Sequence, residues 1–286
     1  MKAFYLFACI GLSACNFASS EIEITPIQYD LIDTIETIES PSGREIEFRS
    51  LKPQNCETCP FVFFSHGANS TYNRHDALFL PFAARGFHIV APNHTDSEAH
   101  KTRDQYELAD SLGYRLEDYD LIMDRYKPDQ HFVAGHSYGA MIAQMTAGAK
   151  LTPPLDTQTP TSKYSPEKII AISPPGPIPN YMEQAGWSKV TATSLIVTGT
   201  NDIVPTMTEN WKDHLVSFSV APEGSIAVIY EDMDHYMNGA YGRENQNASL
   251  ERNQAMGHLI NVMADFLTDS DKVLDQNTDF AEIRRR

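Results

Sequence analysis

Basic residues are scarce in this chain. Lys and Arg number 22 against 38 Asp and Glu, a formal charge of −16. A surface of that sign repels phosphate backbones, which excludes a nucleic-acid partner. Long apolar runs are missing as well: residues 3–12 are apolar but too few to span a bilayer as a helix. Cysteine is limited to 4 positions, and the Cys56/Cys59 pair lacks the second ligand pair that a zinc site needs. Internal repeats and low-complexity segments are absent. What remains is an ordinary globular composition, 42% hydrophobic and 21% charged over 286 residues. A single α/β domain of that size buries roughly three quarters of its unfolded surface, so global disorder is excluded.

The N-terminus reads as a targeting segment. Lys2 precedes the apolar run, which suits the core of a signal peptide. Leu12-Ser13-Ala14-Cys15 then resembles the lipobox of bacterial lipoproteins, in which the Cys is lipidated and becomes the new N-terminus. That resemblance implies a signal peptide over residues 1–15, a tether over 16–21 and a membrane anchor through Cys15. Asn16 stands where retention at the inner membrane calls for Asp, so the expected place is the outer membrane of a bacterial envelope, facing periplasm or surface. An ordinary signal peptide cut near Ser19, giving a secreted protein, is the alternative. With Cys9 removed and Cys15 lipidated, Cys56 and Cys59 remain. In an oxidising compartment a C-x-x-C pair flanked by Pro53, Asn55 and Pro60 is expected to form a small disulfide staple.

Short apolar runs alternate with amphipathic stretches from there on. Strands are expected over 22–35, 45–51, 61–64, 87–91, 131–134, 168–173, 194–198 and 225–230. Helices are expected over 77–85, ended by Gly86, and over 114–126, 140–150 and 250–267. Residues 151–166, with four prolines, form a loop or lid excursion, and 269–286 a polar tail outside a domain of residues 22–268. Such alternation argues for a mostly parallel central sheet with helices on both faces.

Gly135-His136-Ser137-Tyr138-Gly139 fits G-x-S-x-G between an apolar strand and a helix-forming run, the context in which a serine is presented at a sharp elbow. A serine hydroxyl needs a base to take its proton. Among ten histidines, His235 is placed best, on the loop after the strand at 225–230. His136 lies inside the elbow and is expected to point away from Ser137, His66 lies upstream and His258 within a helix. Asp202, after the strand at 194–198, follows the serine and precedes the histidine, and is the expected partner that fixes the imidazole tautomer. Asp232 and Asp234 are nearer in sequence but poorly placed to face back. Ser65-His66-Gly67-Ala68 directly follows a strand, so the Ala68 and Tyr138 N–H groups are the expected oxyanion donors. The run His94, Asp96, Glu98, His100 could suggest a metal, but reads as a solvated rim near the substrate mouth.

The segments 64–67 and 86–91, then Arg115 with Asp118 and Asp124, then 135–139, resemble the platelet-activating-factor acetylhydrolase and dienelactone-hydrolase-like esterases of the α/β-hydrolase superfamily. Bacterial cutinase-like polyester hydrolases share the outline. The resemblance covers roughly residues 45–268. It implies the α/β-hydrolase fold and hydrolysis of carboxylic esters without a metal or organic cofactor. Asn93-His94-Thr95 departs from the Asp-His-Pro of many relatives, and Ser137 replaces the Cys of true dienelactone hydrolases, so lactone specificity is not implied. The expected substrate is a small-molecule ester, with no obligate protein partner. A lipase or polyester hydrolase, an acyl peptidase and an envelope binding lipoprotein are the alternatives.

Overall fold

A computed structural model describes residues 29–108, 110–205, 207–240, 250–270, 274 and 278–286. The signal-peptide, Cys15 and tether expectations lie outside these residues. Among the described residues nine strands form one sheet: β1 Leu31–Glu39, β2 Glu45–Pro53, β3 Phe61–Ser65, β4 His88–Pro92, β5 His131–His136, β6 Lys168–Ile172, β7 Thr193–Asn201, β8 Ile226–Asp234 and β9 Ala281–Arg285. Their order is β1-β2-β4-β3-β5-β6-β7-β8-β9. Strands β3 to β8 run parallel, while β1, β2 and β9 add antiparallel edges.

Both faces of the parallel strands are buried, which is why they read as unbroken apolar runs instead of alternating ones. In β3, Val62 and Phe64 join the core on one face and Phe61 and Phe63 the core on the other, the period of two that a strand imposes. Helices α1 (Asp76–Ala83) and α4 (Leu250–Leu267) cover the first face, α2 (Ser111–Tyr126) and α3 (Tyr138–Thr146) the second. Gly86, at φ 104°, turns the chain after α1 into β4. Cys56 and Cys59 form a disulfide in the β2–β3 connection.

Two expectations are revised. The C-terminal tail is not wholly peripheral, because Ala281–Arg285 pairs antiparallel with β8 and closes that edge of the sheet. Its alternation of Ile283 with charged neighbours is too short to stand out in sequence. The excursion at 151–166 is fastened at its far end. Asp120 of α2 accepts from Ser162 Oγ at 2.5 Å and from the Lys163 N–H, and Tyr164 Oη donates to Asp124 at 2.5 Å.

The register places the chemistry. Ser65 pairs with Gly135, Gly135 with Ala171, Ala171 with Ile196 and Ile196 with Ala227. The carboxyl ends of β3, β5, β7 and β8 therefore come to one edge, where open α/β sheets bind their ligands. Ser65-His66-Gly67, Ser137, Asp202 and His235 are the residues at or just past those ends.

Candidate active site

Ser137 sits between β5 and α3 at φ 55° and ψ −118°, a strained conformation for a residue with a side chain. Two glycines make it possible. A Cβ on Gly135 would lie 2.2 Å from the Gly139 carbonyl oxygen, and one on Gly139 would lie 1.9 Å from that of Ser65. Neither distance is tolerable, so strand, elbow and the Ser65 turn meet backbone to backbone only because both positions lack side chains. The Ser137 N–H donates to Ile172 O at 2.8 Å, tying the elbow to β6.

His235 and Asp202 meet at the same edge. His235 Nδ1 donates to Asp202 Oδ1 at 2.7 Å, which leaves Nε2 as the basic nitrogen. The elbow and the histidine loop are joined directly: His136 Nε2 donates to the His235 carbonyl at 2.8 Å, with ring centroids 4.9 Å apart. Burial, then the neighbouring imidazoles, holds His136 well below the ordinary imidazole range, so it stays neutral. His136 thus braces the loop that carries His235. The side-chain bond of His235 runs to Asp202, and its Nε2 is not hydrogen-bonded to Ser137 Oγ. Such contacts commonly tighten only when substrate is bound. Asp234 is spent on the Tyr236 and Asn238 N–H groups, while Asp232 Oδ1 accepts from Asn201 Nδ2 and the Asp232 N–H donates to Thr200 Oγ1; neither carboxylate bonds to the imidazole.

Asp202 is fully buried and accepts three side-chain bonds. Thr198 Oγ1 reaches Oδ2 at 2.9 Å, while His235 at 2.7 Å and His214 Nε2 at 3.0 Å converge on Oδ1. Burial opposes ionisation, but the bonds from His214 and His235 outweigh it and hold the carboxyl well below the usual carboxylate range. His214 is absent from the sequence reading. It lies in the short turn Trp211–Leu215, and no periodicity or motif marks it. Donor atoms of Asp202, His214 and His235 lie within 4.8 Å of one another. Both imidazole nitrogens there carry protons directed at Asp202, so the grouping is a hydrogen-bonded one and is not assigned to a metal.

The turn Ser65-His66-Gly67-Ala68 is held from behind by Arg115 of α2, fully buried. Its Nη1 donates to Ser65 Oγ at 2.9 Å and to His66 O at 2.6 Å, its Nη2 reaches Gly67 O at 3.3 Å, and Asp96 takes the guanidinium through both oxygens at 2.9 and 2.7 Å. In a trans peptide the C=O and the following N–H point in opposite directions. Anchoring the Gly67 oxygen on Arg115 and on His66 Nδ1, at 2.7 Å, therefore turns the Ala68 N–H away from the interior. The Tyr138 N–H, the other donor expected from the sequence, opens α3 and has no partner within the helix. A Cβ on Gly67 would lie 3.5 Å from Ser137 Cβ, so this turn borders Ser137.

Beneath the turn runs a second chain with the connectivity of a catalytic triad. Ser65 Oγ bonds His94 Nε2 at 2.9 Å, and His94 Nδ1 donates to Asp118 Oδ2 at 2.7 Å. Asp118 Oδ1 accepts from Arg44 at 2.5 Å. All of Ser65, His94 and Asp118 are fully buried, and the Ser65 oxygen already accepts from Arg115. This chain is a support, not a site of attack. It also corrects the expectation of a solvated rim for His94 and Asp96, which are buried together with Asn93 and Thr95, because they wedge the turn at 65–68 against α2. Glu98 and His100 take no part, one paired with Arg74 at 2.5 Å and the other bonded to Thr102. A cavity of about 300 Å³ at the Arg44 end, lined by Glu47, Asn93, His100 and Tyr106, includes neither Ser137 nor His235.

Residues 62–181 match the model of the alpha/beta hydrolase family. Taken with the sheet order and the elbow, the match defines the fold: this chain has the α/β-hydrolase fold. Among solved structures it is similar to one of two fungal esterases from Rhizomucor miehei, at TM-score 0.59 and 13% identity over 84% of each chain. A protein designated a dienelactone hydrolase from Klebsiella pneumoniae superposes at 0.58 and 15% identity, covering 83% of this chain and 98% of that one. The dipeptidyl peptidase 4 of Porphyromonas gingivalis gives 0.56 and 16% identity over 85% of this chain and 36% of its own. Identities this low speak for the shared fold alone. No curated protein sequence matches the chain.

Proposed function

We propose that the protein is a serine hydrolase that cleaves carboxylic esters through an acyl-enzyme on Ser137. The observation that carries this is the pairing of a strained, half-buried Ser137 with a His235 whose Nδ1 is committed to Asp202 at 2.7 Å. In this mechanism His235 Nε2 takes the Ser137 proton as Oγ attacks the ester carbonyl. Asp202 offsets the charge on the imidazolium. The Ala68 and Tyr138 N–H groups bind the oxyanion, and each such donor is worth roughly 3–4 kcal/mol in enzymes of this type. The proton then passes to the departing alcohol, and water, activated by the same base, frees the acid.

Apolar side chains beside the acid favour an ester with an apolar portion: Ile203 is 48% exposed and Met207 61% exposed on the loop after Asp202. A series of nitrophenyl esters of rising acyl length, with the chain starting at Glu21, tests the proposal. Turnover is expected to be highest at short acyl lengths; a maximum at long ones makes the protein a lipase. Cleavage of amide analogues without ester cleavage would turn the assignment to a peptidase, and no turnover with a co-purifying ligand would turn it to a binding protein. With this reading goes the anchor at Cys15: labelled palmitate is expected on the full chain and not on Cys15→Ser.

A further inference from the structure

Acyl transfer has no step for His214, yet its ring is fully buried against the acid of the site. Its Nδ1 lies 2.5 Å from the Pro174 carbonyl oxygen. Its Nε2 lies 3.0 Å from Asp202 Oδ1 and 3.1 Å from the Asp202 carbonyl oxygen. A carbonyl has no proton to give, and an ionised carboxylate has none either. Both ring nitrogens must therefore donate at the same time, and an imidazole does that only as imidazolium. A neutral ring would turn a bare nitrogen lone pair toward an oxygen in a site closed to water, leaving two acceptors face to face.

We infer that His214 is held as a standing cation behind Asp202 and that its charge sets the pH range over which His235 acts as base, a positioning role that rests on the proposed triad. Two titratable groups face the ring from packed elements. They are Asp202 past β7 and His235 past β8, the latter with ring centroids 5.9 Å away and planes 28° apart. On its own turn Lys212 is exposed and Asp213 half-buried. Burial works against the charge on His214, but the bond and the charge of Asp202, then the Pro174 carbonyl, overcome it and lift the group above the ordinary 6.5. The same contact contributes to the depression of Asp202.

The consequence follows from charge. Asp202 is shared between two imidazoles, so part of its field at His235 is cancelled by the cation on its other side. A nearby stacked cation also disfavours a second proton on His235. Neutralising His214 therefore returns the whole field of Asp202 to His235.

Nuclear magnetic resonance of the full chain with isotope-labelled histidine tests the charge without reference to activity. The resonance that disappears in His214→Gln is expected to show protons on both nitrogens at about pH 8, where an ordinary imidazole has lost one. A single bare nitrogen on His214 at that pH overturns the inference. If the variant does not fold, backbone-linked assignment of His214 in the parent gives the same answer. In the folded variant, Gln can still donate to Asp202 but carries no charge. The acidic limb of kcat/KM on an ester is then expected to move up by about one pH unit; an unmoved limb defeats the tuning role. Full activity in a Ser137→Ala variant would remove the proposed reaction while leaving the ring protons of His214 where they are, so the two failures are distinct.

Discussion

Ser137→Ala is expected to fold as the parent does and to lose on the order of 10⁴-fold or more in turnover on a nitrophenyl ester. The backbone at 137 is strained with either residue, since both have a Cβ and φ stays near 55°. The hydroxyl is half-buried and supports no other group through a bond of its own, so its removal leaves no buried orphan. Stability should therefore change by about 1 kcal/mol or less, a few degrees in a thermal melt. The catalytic loss is large because oxyanion donors and binding alone retain only a small residue of the rate. Ser65 cannot substitute. It has the same Ser-His-Asp wiring, but it is fully buried, its hydroxyl bonds His94 and its oxygen is held by Arg115. Parent-like turnover in the alanine variant would sink the assignment of the nucleophile.

How legible the site was depended on how local its determinants are. The elbow is five consecutive residues whose glycines are demanded by backbone contacts of 2.2 and 1.9 Å, so the pattern and its flanks announce it. Asp202 and His235 stand at ends of apolar runs, and runs buried on both faces are easy to find. The helix over 250–267 has the bounds that its spacing suggests. His214 was invisible because a five-residue turn has no period, and its meaning comes from Asp202, 12 positions away, and Pro174, 40 positions away. Arg115 stands out in sequence only through the family resemblance, and nothing local marks it as the staple of a turn 48 to 50 residues earlier in the chain. His94 and Asp96 differ from the expected rim for the same reason. Polar residues in a loop read as solvated unless their partners, here Arg115 and Asp118, are known to come from elsewhere.

Asp202→Asn carries the second large effect, and it falls on stability as well as on rate. The amide can keep much of the hydrogen bonding, since its oxygen can accept where Oδ1 does and the Thr198 hydroxyl can reverse. What it cannot supply is charge. For the reaction, His235 loses both its orienting anion and the partner that offsets its imidazolium, a loss of about 10⁴-fold in kcat where such a change has been made in triads. For the fold, a buried His214 cation is left without a counter-ion, and breaking a buried pair from one side costs about 3–5 kcal/mol. The sign with pH follows. Because the folded carboxyl titrates below its ordinary 3.8, its contribution is full above that value and is lost as pH falls toward the depressed one. The variant should lack that part of the parent's acid sensitivity. Denaturant unfolding of the parent, Asp202→Asn, His214→Gln and the double variant closes the cycle. With His214 already neutral, removing the anion should be much less costly, so the double variant is expected to be more stable than the sum of the singles by 1 kcal/mol or more, within the roughly 0.5–3 kcal/mol range of coupled contacts. Simple additivity would mean that His214 is neutral and that the anion answers to His235 alone. Turnover should stay low in the double variant, because restoring the fold does not restore the charge that His235 needs in the transition state.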